Sequence, residues 1–565
     1  MRGGWPGWVA LGLSLYLSCQ RRAPPSAALQ YVGDRACARC HGQIAQAFAR
    51  TWKAHSFLPV TPELPRIEDF SQPAVYDPHR DFFYRATWEG PFLYLYEYRL
   101  RGRDTVYLRK ERLDFVIGSG HQTRSYLLWR NGFLYEAPLT WYVRARKWDL
   151  SPGYHEGRNS RFDREIEPTC LACHAQGTHP IPWTYNRYEW VGEALGCESC
   201  HGPGSAHVQH PTDTTYHWSR WPKARQMDVC SRCHLEGLTI QKRPGWKPGD
   251  TLAAFYAVFL PERPELGVAG IASHAERLLR SACYRKGGLT CATCHAPHPV
   301  EAVPSYDQRC LSCHTAGCAN PTHSRTGCPT CHMPKGATSD IPHTQFTDHY
   351  IRVVGREAPQ RGVSSHRLVC ATSAGPDSSE VAEAYFRWYV EGEGGPQALR
   401  EAEVLLERWG PKGVLGQLYL ITGRPEKAVP LLESALASDS SLRLLESWAY
   451  ALEQTGQLQK ALQAWEAIQR RAPLHPDAQF RVALLRYQLG RAAPMAVYRV
   501  LDSLARVQPS NPQLAYNAAL LAFGTSQTAA GHRHLRAALA ADPDYEPARR
   551  LYQRITGKNW GTLLR

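Results

Sequence analysis

Fourteen of the 18 cysteines fall into one repeated pattern. Cys37-Ala38-Arg39-Cys40-His41 reads C-x-x-C-H, and so do Cys170/Cys173/His174, Cys197/Cys200/His201, Cys230/Cys233/His234, Cys291/Cys294/His295, Cys310/Cys313/His314 and Cys328/Cys331/His332. This spacing is the attachment signal for c-type haem: two thiols bond the vinyl-derived carbons of one porphyrin, and the adjoining histidine is placed to ligate the iron. Zinc ribbons pair their C-x-x-C units without a histidine after each one. A disulfide framework leaves the histidines unexplained. Seven copies therefore predict seven covalently attached haem c groups, with these cysteines as cofactor-binding residues and these histidines as proximal iron ligands.

The sixth iron ligand is read from what remains. Only four methionines exist, and Met227 alone is a plausible candidate among them. Between Gly42 and Tyr350, thirteen further histidines are available for seven places: His55, His79, His121, His155, His179, His207, His210, His217, His274, His298, His323, His343 and His349. Bis-histidine ligation is the expectation, and it gives lower potentials than methionine/histidine ligation.

Several segments carry a resemblance. Tyr31-Val32-Gly33-Asp34 precedes the first motif and Trp52-Lys53-Ala54-His55 follows it. Gly196-Cys197-Glu198-Ser199-Cys200-His201-Gly202-Pro203-Gly204-Ser205-Ala206-His207 is the most specific stretch. Leu289 to His298, Cys331 to Lys335 and Ile341 to His349 add to it. Together these resemble exported multihaem c-type cytochromes of the nitrifier tetrahaem cytochrome and hydroxylamine oxidoreductase-like class, in the form that carries C-terminal tetratricopeptide repeats. Carried over by position, the resemblance implies His55, His207, His274, His298, His343 and His349 as distal ligands. His121, at a glycine-rich strand end, completes the seven, with His155, His179, His210 and His323 in reserve. No C-x-x-C-K site is present, so the resemblance points to electron transfer and assigns no catalytic residue. A C-x-x-C-H haem lacking a sixth ligand would still make the chain an oxidoreductase acting on a small nitrogen or sulfur compound.

The elements that must position these residues differ along the chain. Six motifs lie within the 163 residues from Cys170 to His332, about one per 27. Side chains alone cannot build a core at that density, so the porphyrins must supply much of it, linked by short helices with each proximal histidine at the start of a helical turn. The 128 residues between His41 and Cys170 read as β. Aromatic runs at Phe82–Trp88 and Phe92–Tyr98 meet at Glu89-Gly90-Pro91, and Arg130-Asn131-Gly132 between Ser125–Trp129 and Phe133–Tyr135 is a hairpin signal. These aromatics are expected to pack a sheet, with some available to line a haem face. Cys283 and Cys318 either pair as a disulfide or remain thiols, leaving Cys370 over.

After a Ser/Gly/Pro-containing linker near Ser364–Ser379 the composition turns helical. Gly423, Gly456, Gly490 and Gly524 recur at spacings of 33, 34 and 34, with Ala428, Ala461 and Ala529 five residues beyond their glycines. Pro476, Pro512 and Pro547 mark the ends of helix pairs. A 34-residue period is that of the tetratricopeptide repeat. Three good repeats run from about Gly413 to Asn511, a fourth is looser, and Gly392 with Ala398 marks a degenerate first. Such solenoids present binding faces, so a protein partner is expected there; the alternative is a helical spacer packed on the haem region.

The fold class expected is multidomain: a haem-packed cytochrome region of short helices with a β-rich insertion, followed by an all-α tetratricopeptide-repeat solenoid. The expected boundaries are a signal segment 1–18, a first haem segment 30–60, the insertion 61–160, a six-haem region 161–350, a linker 351–379 and repeats 380–560. The short apolar run Trp8–Leu17 before Ser18-Cys19 reads as an export signal with a lipoprotein-like Cys19, giving a periplasmic or cell-surface protein anchored by lipid. The formal charge is +15, of which +3 belongs to residues 371–565 (22 Lys+Arg against 19 Asp+Glu) and so +12 to residues 1–370. Seven haems with two propionates each would bring about −14, so the basic residues read as propionate partners and nucleic acid is not expected. The partners expected are redox proteins and a protein bound by the repeats.

Overall fold

The computed structural model describes residues 29–212, 217–262, 269–318, 325–354, 367–373 and 375–558. The signal segment, Cys19, the tether to Ala28, reserve ligand His323 and linker residues 355–366 and 374 lie outside them.

The insertion forms two antiparallel sheets. One is a four-stranded meander of Val75–Asp77, Phe82–Glu89, Phe92–Arg101 and Asp104–Arg112. The other runs in the order Phe57–Pro59, Phe115–Ile117, Thr123–Arg130, Phe133–Tyr142 and Arg164–Glu165, with Lys147–Leu150 also paired to Phe133–Tyr142. Asn131 (φ 53°) and Gly132 (φ 86°) are both left-handed, which is what a tight two-residue hairpin turn requires. Alternate residues of both sheets share a core that includes Phe82, Tyr84, Leu93, Leu95, Tyr126 and Trp141. The aromatic runs thus pack sheet against sheet. The sheets reach beyond 61–160, because the closing strands at Phe57–Pro59 and Arg164–Glu165 are too short to show an alternating pattern.

The motif segments are short helices: Asp34–Ala38, Pro168–Leu171, Glu198–His201, Cys291–Cys294, Tyr306–Leu311 and Cys328–His332, with the longer Lys223–His234 carrying the fourth motif. His41 does stand at the start of a helix, Gly42–Ala49, but within the motifs the histidine does not open the turn. It closes it. The amide of His41 donates to the Cys37 carbonyl at 3.0 Å, His201 to Cys197 at 3.0 Å, His295 to Cys291 at 2.9 Å and His314 to Cys310 at 3.0 Å. One i→i−4 turn therefore spans the five residues, and it sets both cysteines and the histidine on one face.

The predicted linker is partly structural. Leu368–Cys370 pairs with Tyr256–Pro261, which pairs with Leu238–Gln241. Leu238, Ile240, Ala257, Phe259 and Leu368 belong to the same core as the first repeat helices. Lys242 bonds Glu380 at 2.8 Å across this junction. The motif-bearing and repeat halves therefore share one hydrophobic core.

Eleven helices follow among the described residues, from Ser378–Val390 to Glu546–Thr556, in five antiparallel pairs and a terminal helix. The degenerate first repeat is a complete pair, turning at Gly392. Gly423, Gly456 and Gly490 take left-handed turn conformations at φ 70–73°. Gly524 does not: it ends the Pro512–Gly524 helix, and Ser526 (φ 59°) makes the turn. The small residue of that pair is accordingly Gly531 and not the exposed Ala529. A Cβ on Gly531 would stand 2.6 Å from the Phe523 ring, so the two helices meet there at a distance only glycine allows.

Candidate haem-binding cavity

The seven motif histidines line one continuous void of about 3410 Å³. Small-molecule pockets are about 300–1,000 Å³, so this space is of the size that holds several large ligands. At least one cysteine of every motif also faces it.

Contacts between motifs set their order. Asp34, beside the first motif, accepts from the Cys197 amide at 2.9 Å. Buried Glu198, inside the third motif, accepts from the amides of Val32 (2.9 Å), Gly33 (2.8 Å) and Gly204 (2.7 Å). Cys173 of the second motif reaches the Arg232 carbonyl of the fourth at 3.8 Å. Cys291 of the fifth donates to Met227 on the fourth-motif helix at 3.7 Å. Arg309 ties the sixth to the Thr293 carbonyl of the fifth at 2.9 Å, and Asp307 receives the Cys328 amide of the seventh at 2.7 Å. Glu198, Asp34 and Asp307 were not singled out by sequence reasoning, although two of them stand in the quoted segments. Met227 is buried, its sulfur 3.7 Å from that of Cys291.

Histidines meet in the void. Ring centres of His41 and His207 are 6.1 Å apart with planes 20° apart, His201 and His298 6.4 Å and 21°, and His295 and His349 6.1 Å and 23°. Two imidazoles ligating one metal from opposite sides, with bonds of about 2.0–2.1 Å, put their ring centres roughly 6 Å apart. The three pairs fit an iron between them. His234 and His274 are 5.3 Å apart and perpendicular. Burial pushes His234 down to about 3 and His274 to about 4, with the Lys53 ammonium and neighbouring imidazoles acting in the same direction. Both are thus neutral at neutral pH, the form that binds metal.

The other expected ligands are placed differently. His121 lines the void beside Trp52, at 5.1 Å. His55 is outside the lining, its Nδ1 2.9 Å from the Thr51 carbonyl, while neighbouring Ser56 donates to the His174 carbonyl at 2.7 Å. His343 faces the insertion: Nε2 is 2.8 Å from Asp149, and the ring meets Tyr142 edge-on. His155 also approaches Asp149, at 3.7 Å. Of the reserves, His179 lines the void, and His155 and His210 do not. Lys53, which the sequence reading quoted only as part of a resemblance, enters the void with Nζ 3.2 Å from His234 Nε2. Cys283 forms no disulfide and lies near the thiols of Cys294 and Cys313.

Residues 144–202 match the family model described as cytochrome c554 and c-prime, a stretch that holds the second and third motifs. No curated protein matches the chain. Similar solved structures include MamA 41-end from Desulfovibrio magneticus RS-1, 20% identical over 27% of this chain and 90% of that one at a TM-score of 0.24. They also include YrrB, described as a TPR protein with an unusual peptide-binding site, 16% identical over 31% and 92% at 0.26. The chain thus couples a multihaem region similar to cytochrome c554 and c-prime to a helical-repeat region.

Proposed function

We propose that this chain is a seven-haem c-type cytochrome that passes electrons between redox partners in the bacterial cell envelope. The observation that carries this reading is that all seven motif histidines line a single void. The residues fit the group: each motif offers two thiols and a histidine on one helical turn, and three histidine pairs stand at the separation an iron between them needs. Haem supplies one-electron redox chemistry when attached. The chain's own part is to bind and orient it and to hold both axial imidazoles in register. We assign His207, His298 and His349 as the distal partners of His41, His201 and His295. An exported, lipid-anchored state at Cys19 and protein docking through the repeats complete the proposal.

The test is a haem count by mass and pyridine haemochrome, with EPR of the oxidised protein. Seven haems, all low-spin, are expected. A stoichiometric high-spin haem that binds nitrite, hydroxylamine or sulfite would replace this reading with a catalytic one. Fewer than seven haems would sink the count.

A further inference from the structure

The hairpin His179–Pro180/Tyr188–Trp190 lies directly after the second motif, and its tip leaves the cytochrome half and reaches the solenoid. Trp183 at the tip has φ 63°, a backbone state a bulky residue holds only where surrounding contacts fix it. Those contacts come from the repeats. Trp183 packs on the repeat core beneath the Arg471 guanidinium, 5.3 Å from the ring centre. Tyr185 donates its hydroxyl to Glu446, which is buried, and Arg443 stands 5.7 Å over the tyrosine ring. His475 holds the other Glu446 oxygen at 2.8 Å, and Arg187 donates to the Leu474 carbonyl at 3.2 Å.

We propose that this edge of the solenoid, formed by the Leu442–Gln454 helix and the Arg471–Pro476 turn, is a peptide-recognition site whose resident ligand is the chain's own 181–187 segment. Trp183, Tyr185 and Arg187 reach one site from a closed turn, which the Ile181 amide shuts on the Arg187 carbonyl at 2.9 Å and the Thr184 hydroxyl on the Ile181 carbonyl at 2.7 Å. Glu446 supplies the acceptor that a tyrosine hydroxyl selects, and His475 Nε2 stands 2.8 Å from its other oxygen. An outside protein that uses this edge must displace the segment, and it must offer the same aromatic-x-aromatic-x-cation pattern. Because the hairpin follows the second motif, its release would be felt at that attachment site. This inference does not depend on the haem count or on the redox role.

The experiment uses the full haem-loaded chain and a labelled synthetic peptide of residues 179–190. The native chain, being occupied, should bind it weakly. A Trp183→Ala/Tyr185→Ala variant should bind it at least about tenfold more tightly. Hydrogen exchange should rise together in the hairpin and in Leu442–Gln454 of that variant, and peptide should suppress the rise in the helix. Should the double variant fail to fold, Tyr185→Phe, which keeps the ring, should show the same changes in smaller degree. Equal binding by native and variant chains, or no binding by either with unchanged exchange, would overturn the proposal.

Discussion

The His295 and His349 rings stand 6.1 Å apart with planes 23° apart, although 54 positions separate them in the chain. His349 reaches that place because Gln345–Thr347 pairs with Lys335–Ala337 just past the seventh motif, and because Asp348 is locked to Arg277 at 2.6 Å. Its Nδ1 meets the Thr347 carbonyl at 2.8 Å, which leaves Nε2 for the iron in the proposed ligation.

The distal assignment is testable one residue at a time. His207→Ala, His298→Ala and His349→Ala should each convert one low-spin haem to high-spin in the EPR spectrum. His343→Ala should convert none, because its imidazole is engaged by Asp149. A high-spin signal from His343→Ala would return that residue to the ligand set.

Glu198 joins the first and third motifs through the Val32 and Gly33 amides and also holds the Gly204 amide of its own segment. Glu198→Gln removes the charge and one acceptor oxygen, so buried donors lose their partner. A loss of about 1–3 kcal/mol in stability is expected, measured by denaturant unfolding. Haem occupancy at Cys37/Cys40, read by peptide mass, should fall with it. Unchanged stability would show that water replaces the carboxylate.

Tyr107 is buried between the insertion and the solenoid, donating to the Ala540 carbonyl at 2.8 Å. Burial pushes its phenol up to about 12 from an ordinary 10. Between pH 10 and 12 the unfolded chain therefore loses this proton while the folded chain keeps it. The unfolded state binds fewer protons, so stability falls as pH rises through that window. Tyr107→Phe should flatten that alkaline slope in thermal melts and cost some stability at neutral pH.

Gly531 faces Phe523 where a Cβ would stand at 2.6 Å. Gly531→Val should cost about 1–3 kcal/mol through overpacking. Ala529→Gly, at an exposed helical position, should cost about 1 kcal/mol through propensity alone. Thermal unfolding of the two variants distinguishes the helix contact from the sequence alignment that pointed to Ala529.

The motif geometry was legible in the residues alone, because C-x-x-C-H closes within one helical turn and needs no distant partner. The two hairpins of the insertion and the 34-residue helix period were also legible, since each repeats a local pattern. Distal ligation was not: a sixth ligand is chosen by which histidine tertiary packing brings opposite the first, and spacing says nothing of that. So His349 faces His295 while His343, six residues earlier, turns to Asp149. The strand Leu368–Cys370 looked like linker because three residues carry no period, and only pairing with Tyr256–Pro261 makes it part of the core. The repeats read either as a docking surface or as a spacer packed on the haem region, because a solenoid edge reads the same in sequence whether it is open or filled. The tertiary structure fills it with Trp183 and Tyr185, since buried Glu446 accepts the Tyr185 hydroxyl and Trp183 packs on the repeat core.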